Sequence, residues 1–346
     1  MAARQRESKE EDDESKKASN LLIYSLYAAI ILLIIAYILT DLALIGLLAF
    51  VLIIAAIVLE LRASLRYEGG RKTLVDIAIA IVAAVLLFWV IPALVLQTGS
   101  PINVVESCSM LPTLHRGDLV LLHGISNMSL FLTSHKVPVV NVTEQQFSGM
   151  VSNMQNEFVE PFAYYPSNPN QISSIIAANA SGYGVGFYNL ECIAREGTTS
   201  SPKYSQCQLS SQASNLITYN YATAKLETKS GNESILYVPS IMVGSTSVVE
   251  NYTNPIIVYR TTSRDYFSGD IIHRLVAAIN VDGKYYLLTK GDNNPILDIE
   301  SLNYPANQSD VLGYVVSDIP YLGFPSLIIK GQISPVAGCS QTIVRS

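Results

Sequence analysis

Three apolar runs in the first hundred residues limit what this chain can fold into. Residues 21–39 carry no charge, Thr40-Asp41 interrupts, and residues 42–59 are again uncharged. Residues 74–96 hold a single charge, Asp76, near the start, with Trp89 and Pro92 toward the far end. Each run approaches the ~20 residues that a helix needs to cross a bilayer core. The alternative, a buried helical hairpin of a soluble protein over 21–59, asks for an unusually long uncharged core element. Residues 1–20 are crowded with charges of both signs and are expected to form a disordered cytoplasmic tail. A cleaved leader is a poor account of this start, because twenty polar residues precede the first run and a second run follows it at once. The tail has five Lys/Arg, the 60–73 segment has Arg62, Arg66, Arg71 and Lys72, and the Thr40-Asp41 turn has none. Cationic segments stay on the cytoplasmic side, so helices over about 21–39, 42–59 and 74–96 would form a multi-pass anchor in the cell membrane and deliver residue 97 onward to the exterior.

The remaining sequence is polar enough for a folded exterior part. A net charge of −6 argues against nucleic acid as a partner. Leu119-Val120-Leu121-Leu122, Lys284 to Thr289 and Val311 to Val316 read as strands, and no long stretch after residue 97 has a convincing 3.6-residue period. The fold class is therefore mainly β on an N-terminal α-helical anchor. Residues 127–255 contain thirteen Asn, nine Tyr and only thirteen charged residues, with Tyr and aliphatics too frequent for a linker, and read as an inserted β-rich domain or an elaborated set of loops. The four cysteines (108, 192, 207, 339) are too few for a disulfide scaffold. Cys192 and Cys207 either remain thiols or pair across a loop of about 15 residues, worth ~3 kcal/mol in the chain-entropy account. Six Asn-X-Ser/Thr triplets, at Asn127, Asn141, Asn179, Asn232, Asn251 and Asn307, all fall in the segment assigned to the exterior. They fit that orientation without establishing it, since an Asn- and Ser-rich segment generates such triplets by chance.

Three polar boxes carry the chemistry. Ser107-Cys108-Ser109-Met110-Leu111-Pro112-Thr113-Leu114 begins about ten residues after the last apolar run. Gly269-Asp270-Ile271-Ile272-His273-Arg274 supplies an imidazole, which titrates near neutrality and can act as a base. Thr289-Lys290-Gly291-Asp292-Asn293-Asn294, with Asp298 six residues past Asp292, supplies carboxylates. A serine hydroxyl is a weak nucleophile until a base takes its proton, and the base in turn needs an orienting partner. One such box alone would mean little. The three in this order, behind an apolar anchor, resemble type I signal peptidases, and the His in the second box resembles the archaeal and endoplasmic-reticulum branch, where bacterial relatives have Lys.

The resemblance covers roughly residues 97–124 and 264–330. It implies a signal-peptidase-like catalytic β core over 97–126 and 256–330, with 127–255 as an inserted exterior domain and 331–346 as a C-terminal tail. It implies Ser109 as nucleophile, His273 as base, and Ser107 with the Ser109 N–H as oxyanion donors. Pro112 and Thr113 would fix the turn that presents the serine, and Met110 would border the substrate pocket. Asp298 matches the family's triad acid, while Asp292 is the runner-up and would otherwise hold geometry, for instance with Arg274. Lys290 as a base and Cys108 as a nucleophile remain open alternatives. A metal site between His115, Asp118 and His123 has no standard ligand spacing. The implied activity is serine endopeptidase removal of signal peptides after small residues at −1 and −3, without cofactor or metal. Secretory preproteins, the translocation channel and membrane lipid would be partners. A specialised peptidase with one dedicated substrate, or a non-enzymatic binding protein on a dead peptidase core, are the competing readings.

Overall fold

A computed structural model describes residues 21–33, 35–36, 43–67, 70–154, 157–162, 189–198, 201–207, 216–229, 231–262, 269–301, 303–332 and 339–345. The charged tail 1–20, the Thr40-Asp41 turn and the Asn179 triplet lie outside them. The chain divides into two units, Met1–Val95 and Leu96–Ser346.

In the first unit residues 21–33 are helical. Helix α1 spans Ala43–Tyr67 and α2 spans Gly70–Val85, and a π-helical turn at Leu86–Val90 leads into α3, Ile91–Val95. Large apolar side chains on these helices are exposed, among them Val51, Ile57, Leu74, Ile79 and Trp89. Taken one at a time, no described helix is long and apolar enough to cross a membrane. Helix α1 is uncharged only over residues 43–59 before Glu60 and Arg62, and α2 contains Lys72 and Asp76. The expectation of three spans is therefore not supported by the described helices.

The second unit is β-rich. Strands β1 (Ile102–Val104), β2 (Leu119–His123) and β3 (Val139–Asn141) open it. Helices α4 (Met128–Ser134) and α5 (Glu144–Met154) flank β3. Next come β4 (Glu157–Phe162), β5 (Asn189–Thr198), β6 (Ser201–Cys207), β7 (Ile217–Thr228), β8 (Gly231–Val243) and β9 (Thr246–Val249). The chain then returns through β10 (Ile256–Arg260), β11 (Asp270–Val281), β12 (Lys284–Lys290), β13 (Ala306–Asn307) and β14 (Val311–Ile319), and ends with helix α6 (Phe324–Ile329) and β15 (Thr342–Val344). The main sheet has the order β1-β2-β14-β10-β11-β12-β13, with β3 joining β11 in parallel. The three strands read from sequence are β2, β12 and β14.

Strand β11 is central because it is apolar on both faces: from Leu275 to Ile279 every residue is buried. Two further sheets have the orders β15-β7-β8-β9 and β4-β5-β6. The first shares a core with the main sheet: Ile217, Val238 and Ile241 pack in one cluster with Val276, Ile279, Leu288 and Leu297. Phe147 and Met150 of α5 join it, and Val151 packs against it, at the i, i+3, i+4 spacing of one helix face. In the β5–β6 pair Cys192 stands directly opposite Cys207 along the backbone.

Ile257 of β10 is fully buried between β11 and β14. Ile257→Ala is expected to cost about 2–5 kcal/mol of stability through lost burial and a residual cavity. Denaturant unfolding of the full chain in detergent checks this; a change under 1 kcal/mol would contradict the packing described.

Candidate active site

The register of the main sheet decides which side chains meet. Side chains alternate between the two faces of a strand, so on β11 His273 shares a face with Ile271 and Leu275, and Arg274 has the other. Tyr259 of β10 pairs with Ile271, and Thr289 of β12 pairs with Leu275. His273, Tyr259 and Thr289 therefore project from one face. Asp298, the first residue of a 3-10 turn at Asp298–Ser301, lies against them.

His273 Nδ1 is 2.6 Å from Asp298 Oδ2, and His273 Nε2 is 3.0 Å from Ser109 Oγ. The same Asp298 oxygen accepts from Thr289 Oγ1 at 2.6 Å and from Tyr259 OH at 3.0 Å. Asp298 and His273 are buried, while Ser109 is half-buried and Ser107 is exposed. Ser107 Oγ lies 3.1 Å from Ser109 Oγ, where its hydroxyl proton can serve an adjacent oxygen. Ser109, His273 and Asp298 thus form a continuous hydrogen-bonded chain that opens toward solvent at the serine end.

On the opposite face Arg274 grips Asp292 with two bonds, Nε to Oδ1 and Nη2 to Oδ2, each 2.7 Å. Arg274 Nη1 donates to Asn254 O at 2.6 Å, and Thr113 Oγ1 donates to Asp292 Oδ2 at 2.5 Å. Asp292 is 1% exposed and does not contact His273. Of the two carboxylates, Asp298 meets the imidazole and Asp292 holds the Gly291–Asn294 loop to β11 and to the serine turn. That loop passes close to Ser109: Asn293 N donates to Ser109 O at 2.6 Å. Glycine permits the approach, because a Cβ on Gly291 would stand 2.7 Å from Ser109 O.

Other sequence candidates sit elsewhere. Met110 is 1% exposed and packs with Val105, Leu114, Val120, Leu122 and Val258, so the pocket-bordering role expected for it gives way to a core role beneath the serine. Pro112 is exposed on the turn, after a cis peptide bond with Leu111. Lys290 shares the face of Arg274, and its ammonium is held by Val238 O at 2.8 Å and Glu250 at 3.2 Å, away from Ser109. Cys108 is joined to Cys339 in a disulfide, which removes it as a nucleophile. Sequence spacing gave no hint of this pair, which is 231 residues apart. Asp118 binds the backbone N–H groups of His115 and Tyr321, whereas the His123 ring bonds Gly124 O. Among the described residues no group of three or more His, Cys, Asp or Glu side chains is placed to hold a metal ion. Sequence reading missed Tyr259 and Thr289; only the strand register brings them to Asp298.

Two residues past Asp298, burial pushes Glu300 up to about 7, against the opposing help of hydrogen bonds from Leu297 N and Tyr221 OH. Burial likewise lowers Lys290 to about 8, with Glu250 resisting the shift.

No family model matches the chain. The site joins a serine hydroxyl, an imidazole and a carboxylate on one β-sheet, and similarity to individual proteins adds to this. The chain is 33% identical over 95 residues to the signal peptidase complex catalytic subunit sec11 of Schizosaccharomyces pombe, covering 26% of this chain and 43% of the relative. It is 34% identical over 88 residues to SEC11 of Pyricularia oryzae (24% and 48%) and 35% identical over 86 residues to sec11 of Sclerotinia sclerotiorum (23% and 47%), both likewise described as signal peptidase complex catalytic subunits. The resemblance to type I signal peptidases, on the eukaryotic side of the family, is therefore borne out over the matched region. The chain spans less than half the length of these relatives.

Two outcomes follow. Arg274→Ala leaves the Asp292 carboxylate buried without its cation and is expected to cost about 3–5 kcal/mol in unfolding free energy; a cost below 1 kcal/mol would contradict a structural ion pair. Glu300 loses its proton near 4.5 when unfolded but near 7 when folded, so the unfolded chain binds fewer protons between these values. Stability should fall as pH rises from 5 to 7.5, and Glu300→Gln should flatten that slope in denaturant titrations. An unchanged slope would place the titration elsewhere.

Proposed function

We propose that the chain is a membrane-anchored serine endopeptidase that removes N-terminal signal peptides from exported preproteins. The observation that carries this reading is the bonded series Ser109–His273–Asp298. Similarity to signal peptidase catalytic subunits supports the substrate class.

In this mechanism His273 Nε2 takes the Ser109 proton as Oγ bonds the scissile carbonyl carbon. Asp298 holds the imidazole proton on Nδ1 and stabilises the imidazolium. Thr289 and Tyr259 fix the carboxylate so that one oxygen serves the imidazole. The tetrahedral oxyanion accepts hydrogen bonds from Ser107 Oγ and the Ser109 N–H. His273 then gives its proton to the leaving amine as the C–N bond breaks. Water, deprotonated by the same imidazole, releases the acyl group from Ser109. The substrate is bound as an extended strand with small residues at −1 and −3.

Exposed apolar side chains on the N-terminal helices support a lipid environment for the first unit. The Lys/Arg-rich tail and 60–73 segment support a multi-pass topology with those segments cytoplasmic and the Leu96–Ser346 unit on the extracytoplasmic side, beside the translocation channel.

Reconstituted full-length protein and a radiolabelled preprotein test the reading. Ser109→Ala and His273→Ala are expected to abolish cleavage, and Ser107→Ala to lower kcat by roughly 10²–10³ with little change in KM. Undiminished cleavage by Ser109→Ala would overturn the assignment.

A further inference from the structure

The C-terminal segment runs directly behind the nucleophile, in a region to which neither the three boxes nor the catalytic series assigns a part. Cys339 is bonded to Cys108, the residue immediately before Ser109. Asn293 connects the same two segments a second time. Its backbone N–H donates to Ser109 O at 2.6 Å, and its side-chain Nδ2 donates to Cys108 O at 3.2 Å and to Gln341 O at 2.9 Å. Its Oδ1 accepts from Ile343 N at 2.9 Å. Arg345 closes the far end: its guanidinium donates to Asp292 O, lies 3.6 Å from Glu250, and stacks 4.9 Å from the Tyr252 ring. Between these points Thr342–Val344 is strand β15, paired with β7.

We propose that Cys339–Arg345 is a positioning element for the nucleophile, with Asn293 as the residue through which it acts. This rests on the peptidase reading of Ser109. The physical reason is economy of anchors. Ser109 sits in an irregular connection between β1 and β2, without a strand ladder to fix its backbone. Its carbonyl is instead held by Asn293 N, and that of Cys108 by Asn293 Nδ2 together with Leu111 N at 3.4 Å, while the Asn293 side chain is oriented by the strap on its other side. No strap atom contacts Ser109 Oγ, His273 or Asp298 through any bond described, so the effect is on where the hydroxyl stands and not on how acidic its partner is. Catalysis is sensitive to such placement, since a misplacement of about 1 Å costs on the order of 100-fold in rate.

The experiment compares wild type, Cys339→Ser, Asn293→Ala and Asn293→Gln as full-length protein in detergent, with Ser109→Ala as control. Three quantities are read: kcat and KM on a preprotein peptide across pH, the folded fraction at assay temperature, and backbone hydrogen exchange of peptides spanning 107–114. Cys339→Ser and Asn293→Ala are expected to lower kcat roughly 10- to 100-fold at nearly constant KM. The pH midpoint of kcat/KM should stay in place, since the imidazole and its acid are untouched. Exchange should rise over 107–114 and not over β11, and Asn293→Gln should recover part of the loss. Wild-type kcat in Cys339→Ser, or a loss that tracks the unfolded fraction, overturns the proposal. So does unchanged exchange over 107–114, an arm that reads the strap even if Ser109→Ala proves as active as wild type and the peptidase reading itself fails.

Discussion

Everything in the site depends on the alternation of side chains along β11. One pleat turns His273 toward Asp298 and Ser109, and the next turns Arg274 toward Asp292. A slip of one residue in the pairing of β11 with β10 and β12 would exchange the two faces and destroy both arrangements at once. The pairings Ile257 with His273 and Lys290 with Arg274 define that register. The geometry of the site and the packing of the core are thus set by the same ladder.

The two faces have different electrostatic tasks. Asp298 accepts from an imidazole, a threonine and a tyrosine, a donor set that fixes where the buried carboxylate points. The Arg274–Asp292 pair is a bidentate clamp that ties the Gly291–Asn294 loop to β11, and that loop in turn carries the backbone of Ser109. A buried pair of this kind is weak evidence for net stability but strong evidence for a fixed geometry, because loss of either partner strands a charge.

Much of this was legible from residue types and spacing. The serine, imidazole and carboxylate boxes named the groups that meet, and strong strand patterns located β2, β12 and β14. Three things were not legible. Tyr259 lies outside every box and Thr289 stands in the third box without an assigned role, and only cross-strand register brings them to Asp298. The Cys108–Cys339 bond joins residues 231 apart, a separation that carries no signal in the sequence. Phe147, Met150 and Val151 do show a helical spacing, but within an eleven-residue helix that a polar, Asn-rich background obscured. Residues 127–255 stood out by composition, which says nothing of what they pack against; Ile217, Val238 and Ile241 share a core with Val276 and Leu288.

The tautomer of His273 tests the central claim most directly. Nitrogen-15 NMR of histidine-labelled protein, with His273 assigned by its absence in His273→Ala, reads which ring nitrogen carries the proton when the imidazole is neutral. The account predicts the proton on Nδ1, held by Asp298, with a bare Nε2 facing Ser109 as acceptor. A neutral His273 protonated on Nε2 has no lone pair to offer the serine, and that result would contradict the account.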